Sequence, residues 1–168
     1  MTPAEAFLTV LRDAHAMLQT VLNDIESEQL WRKPPGTANA SGAIYAHAIG
    51  VEDLYIQRIL QDKPLVWDED NWAEKLGRAT APNLWESEGV IPFDLHAFLG
   101  YRRAVYTASE LYIAGLRQED LDRTVQFPGR DWSMSIARLL TVVVSHCTSH
   151  AGEIAALKGV FGAKGLPY

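Results

Sequence analysis

Cysteine is nearly absent from this sequence: Cys147 stands alone. One thiol cannot close an internal disulfide, so the fold rests on packing, and the expected compartment is the cytoplasm. Excess basic charge is missing as well. The net charge is −6, with a sequence pI near 5.3, which argues against nucleic acid and against an anionic membrane as partners, because both reward a basic face. No apolar run reaches the roughly 20 residues that a membrane-spanning helix needs. The N-terminal stretch has no basic segment followed by an apolar one, so it does not read as a signal peptide. Glycine-rich phosphate loops and a recognisable Ser-His-Asp setting are also lacking, which leaves nucleophilic catalysis by a protein hydroxyl little support. There are no repeats and almost no strand signal.

What is present is helical periodicity. The 168 residues are 48% apolar and 21% charged, enough for one domain, spanning 1–168, with a real core. Thr2-Pro3-Ala4-Glu5 reads as a capped helix start. The stripe Phe7/Leu8, Leu11, His15, Leu18, Val21/Leu22 and Ile25 then predicts helix 1 over about 3–29, and Lys33-Pro34-Pro35-Gly36 breaks the chain. Ser41 is the expected cap of helix 2, whose stripe is Ile44, His47/Ala48, Val51, Leu54/Tyr55 and Arg58/Ile59, ending before Pro64. The stretch from Lys63 to Pro92 is long for a loop in a compact bundle and holds Trp67, Trp72 and Trp85. Such a crossover packs over a bundle end or a partner subunit, and a short helical turn fits Asn71–Leu76. Helix 3 is expected from Pro92 or Phe93, along Leu95, Phe98/Leu99, Arg102, Val105/Tyr106, Ser109 and Tyr112/Ile113. Arg117–Asp131, with Pro128-Gly129, suits an irregular or hairpin-like connection. Ser133 is then the expected cap of helix 4, which runs through Ile136, Leu139/Leu140, Val143, His146/Cys147, His150, Ile154 and Leu157 to about Phe161. The fold class is therefore all-α, a four-helix bundle. Its long crossover between helices 2 and 3 argues against plain up-down-up-down order.

The chemistry gathers on histidines. His146 and His150 are four apart, so both imidazoles leave the same face of helix 4, one turn apart. They lie on the apolar stripe and point inward. His47 is inward on helix 2. If helices 2 and 4 are antiparallel, it lies level with them. Three neutral imidazoles then converge on one divalent metal ion and leave coordination positions open, the pattern of a reactive site. Against this stands the plainer reading of each histidine as a hydrogen-bonded core residue. Glu153, three residues after His150, either hydrogen-bonds a ligand imidazole or a metal-bound water, as its orienting partner or as general base, or is a solvated surface carboxylate. His15 either lines the metal pocket or is a satisfied core histidine, which the pattern favours. Cys147 is a thiolate ligand or, better supported, a small buried filler. His96 falls off its stripe and reads as exposed. Arg102 anchors an anionic substrate or pairs with a core-edge carboxylate.

The segment Ser145-His146-Cys147-Thr148-Ser149-His150-Ala151-Gly152-Glu153-Ile154, with Leu157-Lys158-Gly159 and Gly165-Leu166-Pro167-Tyr168, resembles the C-terminal signature of the DinB/YfiT-like family of metalloenzymes. Ala46-His47-Ala48, Val51-Glu52-Asp53 and Arg58-Ile59-Leu60 are similar to its second-helix histidine region. Leu121-Asp122-Arg123-Thr124-Val125 and Trp132-Ser133 resemble its stretch before helix 4. The resemblance implies an up-down-down-up bundle, with helices 2 and 4 antiparallel. It also implies a zinc or nickel ion on His47, His146 and His150, and a homodimer, which the tryptophan-rich crossover also favours. For activity it implies transfer of a low-molecular-weight thiol to a small electrophilic substrate. A metal-dependent hydrolase and a stress-associated protein that binds metal or ligand without turnover are the other two readings.

Overall fold

The computed structural model describes residues 1–77, 81 and 93–166. Helix α1 runs Pro3–Thr20 behind the expected capping box: the Thr2 side chain accepts from the Glu5 amide, and the Glu5 carboxylate accepts from the Thr2 amide. It stops nine residues earlier than the stripe predicts. Asn23 and Asp24 interrupt it, side chains that compete for backbone groups and favour turns. Asp24 there pairs with the buried Lys158 ammonium near the end of the last helix. A short helix α2, Ser27–Trp31, follows and lays Trp31 over Gly42. A Cβ on Gly42 would come within 2.7 Å of that ring, so the close approach requires glycine there.

Helix α3 spans Ser41–Asp53, and every residue in it except His47 is buried. The expected Ser41 cap is not one: Ala40 holds the cap position without a side-chain bond, and Ser41 is buried in the first turn. From Leu54 to Ile59 the helix widens to π geometry. Short helices α4 (Val66–Glu69) and α5 (Trp72–Leu76) occupy the crossover. Trp67 and Trp72 both pack against Tyr101 of the chain's own next helix, with ring centroids 5.2 and 5.8 Å away. Trp85 lies outside the described residues. Asp53, fully buried, ties this corner together. It accepts from the Val66 and Trp67 amides at 2.9 and 3.1 Å and from the Tyr101 hydroxyl at 2.8 Å. Burial nevertheless holds its carboxyl above the usual range.

Helix α6 is Leu95–Ala114, capped by Asp94, so it starts two or three residues after the expected point. After α7 (Gln118–Leu121) comes a hairpin of β1 (Thr124–Gln126) and β2 (Ser133–Ser135), antiparallel, with Val125 opposite Met134. Ser133 is taken up in this ladder opposite Gln126. The cap of α8 (Ile136–Val160) is therefore Ser135, which accepts from the Arg138 amide.

Helix directions follow from the contacts. Along α1 and α8, the Cys147 thiol meets the Ala14 carbonyl and Lys158 meets Asp24, so the two are parallel. Arg12 pairs with Glu110 and His15 stacks on Tyr106, so α1 and α6 are antiparallel. Tyr45 meets Phe98 while Ile56 and Ile113 share the second apolar cluster, so α3 and α6 are parallel. His47 meets His146 and His150 while Ile56 packs with Leu139 and Leu140, so α3 and α8 are antiparallel. The order is up-down-down-up, and the whole is an all-α bundle with one small hairpin. No described helix is long and apolar enough to cross a membrane.

Candidate metal centre

His47 is the only residue of α3 outside the buried class, because it faces the seam where α3 meets α8 near the hairpin. On α8 the four-residue step places His146 and His150 one turn apart on the face that meets it. The three rings converge with centroids 5.1 Å (His47–His146), 5.2 Å (His47–His150) and 4.3 Å (His146–His150) apart. One ring nitrogen from each lies within 4.8 Å of the others. The Nε2 atoms of His146 and His150 are 3.1 Å apart. Two nitrogens bound to one tetrahedral zinc ion at about 2.0–2.1 Å would be roughly 3.3 Å apart. That pair is already at ligand spacing, and the wider contacts to His47 close by small ring movements.

Electrostatics favours the coordinating form. Burial, and then the neighbouring His150 and His47, push His146 down to about 3. Its imidazole is therefore neutral at pH 7, with a lone pair to give. His150 receives a partner on its other nitrogen: Glu153 Oε2 lies 2.6 Å from Nδ1. A carboxylate accepts a hydrogen bond there and so favours the tautomer with the hydrogen on Nδ1 and the lone pair on Nε2. The donor set, its spacing and this outer carboxylate fit a divalent metal ion.

The site has an open side. A cavity of about 660 Å³ opens beside it, with His47 and His146 in its wall. Val51, Tyr55 and Arg58 supply the wall along α3 and its π continuation, and Phe127, Arg130 and Trp132 supply the hairpin side. The π segment begins seven residues, about two turns, beyond His47 and carries Leu54, Tyr55, Arg58 and Ile59 of this wall, a common placement for such bulges. Neither His150 nor Glu153 lines the cavity. The sequence carries a trace of this wall, because His47, Val51, Tyr55 and Ile59 recur every four residues. The hairpin half had no such trace, since Trp132 reaches the cavity only through strand pairing and its stack on Phe127 at 3.8 Å.

The other candidates resolve plainly. His15 does not join the cluster: its Nε2 is 2.8 Å from the buried Glu52 carboxylate, and its ring stacks on Tyr106 at 3.4 Å. Cys147 is buried, its thiol pointing away to the Ala14 carbonyl at 3.4 Å, with burial raising its pKa far above the ordinary thiol value. It is a core filler. Among the described residues Arg102 pairs with no carboxylate and does not join the histidines; it donates to the Tyr45 hydroxyl at 3.3 Å. His96 is exposed.

Comparison with known proteins agrees with this architecture. A conserved protein from Enterococcus faecalis, known from its crystal structure, superimposes with a TM-score of 0.76 over 96% of this chain and 99% of that one, at 16% identity. At that identity the likeness concerns the fold alone. No curated protein matches the chain in sequence. The family model of the DinB superfamily does, over residues 11–154, a span that begins in α1 and ends four residues beyond His150. With its fold and most of its length accounted for in this way, the chain belongs to the DinB superfamily.

Proposed function

We propose that this protein is a metal-dependent enzyme that transfers a low-molecular-weight thiol to a small electrophilic substrate. The observation that carries the reading is the convergence of three imidazoles at the edge of a cavity large enough for a small organic molecule. A bound divalent ion would supply a Lewis-acidic position that keeps a thiol ionised at neutral pH. The chain's own residues do the rest. His47, His146 and His150 would hold that ion, with the cavity beside His47 and His146 as the side from which a substrate reaches it. Glu153 is a positioning residue that keeps the His150 lone pair aimed inward. The apolar wall of Val51, Tyr55 and Phe127 seats the organic partner and excludes water. In the transfer a carbon–sulfur bond forms, the substrate's leaving group departs with the electron pair, and the thiol proton passes to solvent.

One feature sets this reading above a hydrolase. Activation of water asks for a carboxylate near the open side as general base. The described cavity wall contains none, and Glu153 is engaged behind His150. A small-molecule substrate, a cytoplasmic setting and a homodimer belong to the same proposal. The dimer no longer draws support from Trp67 and Trp72, since both are packed within the chain.

The test is spectroscopic. Cobalt-loaded protein is titrated with mycothiol, bacillithiol, glutathione and cysteine. Thiolate-to-cobalt charge-transfer absorption is expected with at least one, and its loss in His47→Ala. If none binds at millimolar concentration while an ester or amide panel is hydrolysed in a His47-dependent way, the hydrolase reading replaces this one.

A further inference from the structure

The chain carries a net charge of −6, yet the described wall of the cavity beside the histidines is free of acidic residues. Two arginines stand there instead. Arg58 comes from the π turn and Arg130 from the hairpin, so the two cations reach the cavity from elements 72 residues apart in sequence. Both are exposed, and neither pairs with a carboxylate among the described residues, whereas Arg12, Arg117 and Arg123 all do. Arg130 is placed on the wall by the Trp132 ring, with its guanidinium carbon 5.8 Å from the ring centroid. Tyr55 and the stacked Phe127–Trp132 pair line the same cavity as the arginines and as His47 and His146.

We propose that the cavity selects an organic anion: a molecule whose carboxylate is held by Arg58 and Arg130 and whose apolar or aromatic body lies along Tyr55, Phe127 and Trp132. The inference takes from the proposed function only that this cavity is the substrate site; it does not depend on the thiol. Guanidinium groups bind carboxylates through paired, charge-assisted hydrogen bonds, and a cavity wall strengthens them by excluding part of the water. In a protein of negative net charge, an anion would otherwise be repelled at long range, so two unpaired arginines at the mouth also counter that field locally. A neutral ligand of the same shape gains the apolar contacts and none of the charge contacts. Carboxylate discrimination is therefore the property that separates this cavity from a plain greasy pocket.

The test uses 3-phenylpropanoate and its neutral amide, titrated by calorimetry into the full chain, once zinc-loaded and once stripped with chelator. The stripped arm removes direct carboxylate coordination as an explanation. In that arm the acid is expected to bind at least ten-fold more tightly than the amide. The double variant Arg58→Gln/Arg130→Gln should erase the difference, and Arg58→Lys/Arg130→Lys should restore part of it. Both positions are on the surface, and an unchanged melting temperature verifies that the variants fold. Equal binding of acid and amide to the stripped wild type would overturn the proposal, as would acid binding that survives the double glutamine change or no acid binding at millimolar concentration. Failure of the thiol titration with cobalt leaves this result standing, and the reverse also holds, so the two readings fail separately.

Discussion

Two groups of histidines sit within a few turns of each other in this bundle, and they have opposite designs. His15 is buried to 3% exposure and faces one carboxylate, Glu52, itself 3% exposed, with Tyr106 flat against the ring. Its Nδ1 and the Glu52 Oε1 have no hydrogen-bond partner among the described residues. The pair joins α1 to α3 and leads nowhere. His47, His146 and His150 are partly buried and face one another, and His47 and His146 border a cavity. The buried His15 ring has a hydrogen-bond partner of opposite chemical character in Glu52, whereas three imidazoles at close range offer one another only ring nitrogens. Such a cluster makes chemical sense when a cation completes it. The same side chain thus serves as a structural tie in one place and as a candidate ligand in the other, and the difference lies in what faces it.

Single substitutions should separate the two designs most sharply. His150→Ala removes a ligand and no core contact of size. Bound zinc is expected to fall from about one per chain to a trace by elemental analysis, with the metal-free protein's urea midpoint almost unchanged. His15→Ala leaves the Glu52 carboxylate buried without its partner, which costs about 3–5 kcal/mol. Urea unfolding should show that loss, while the folded fraction still takes up one zinc ion. In a double-mutant cycle, His15→Ala and Glu52→Ala together should cost clearly less than their sum. Were His15→Ala to strip the metal from folded protein, the two sites would be one.

The comparison also explains what could be read in advance. The inward position of His15, His47, His146 and His150 follows from helical spacing, whereas the antiparallel register that brings His47 level with α8 is what the family resemblance implies. The early end of α1 could not be read there, because the apolar stripe continues through Val21, Leu22 and Ile25 while Asn23 and Asp24 turn the backbone. Nor could the Glu52 partner of His15 be identified, since it is 37 residues away and depends on how α1 leans on α3. Ser133 reads as a cap when taken alone and becomes a strand residue only once Gln126 pairs with it. The cavity wall combines a helical face, which the every-fourth-residue repeat of His47, Val51, Tyr55 and Ile59 marks, with a hairpin tip for which periodicity carries no signal.

A smaller effect sharpens the boundary of the metal site. Glu153 is half-exposed, so as a surface ion pair it would contribute almost nothing to stability. As the partner that fixes the His150 tautomer it has a different consequence. Glu153→Ala is expected to weaken zinc binding by about 10- to 100-fold, read by competition with a chromogenic chelator, with no measurable change in the stability of the metal-free protein. Unchanged zinc affinity would return Glu153 to the class of solvated surface carboxylates.

The smallest effect belongs to the residue that lies between the two designs. Cys147 is next to His146 in sequence, yet the helix turns it about 100° away, toward α1 and the His15 side of the core. There its thiol donates to the Ala14 carbonyl and burial opposes its ionisation. A thiolate ligand would have to face the cluster; this one packs behind it. Cys147→Ala should therefore leave zinc stoichiometry and affinity unchanged and cost about 1 kcal/mol, the loss of a small buried group and a weak hydrogen bond. Folded wild-type protein should react with a thiol reagent such as dithionitrobenzoate only as fast as it opens, and quickly in denaturant. A loss of zinc in Cys147→Ala would mean that the thiol reaches the ion after all, and the separation between a closed core and an open metal centre would have to be redrawn through α8.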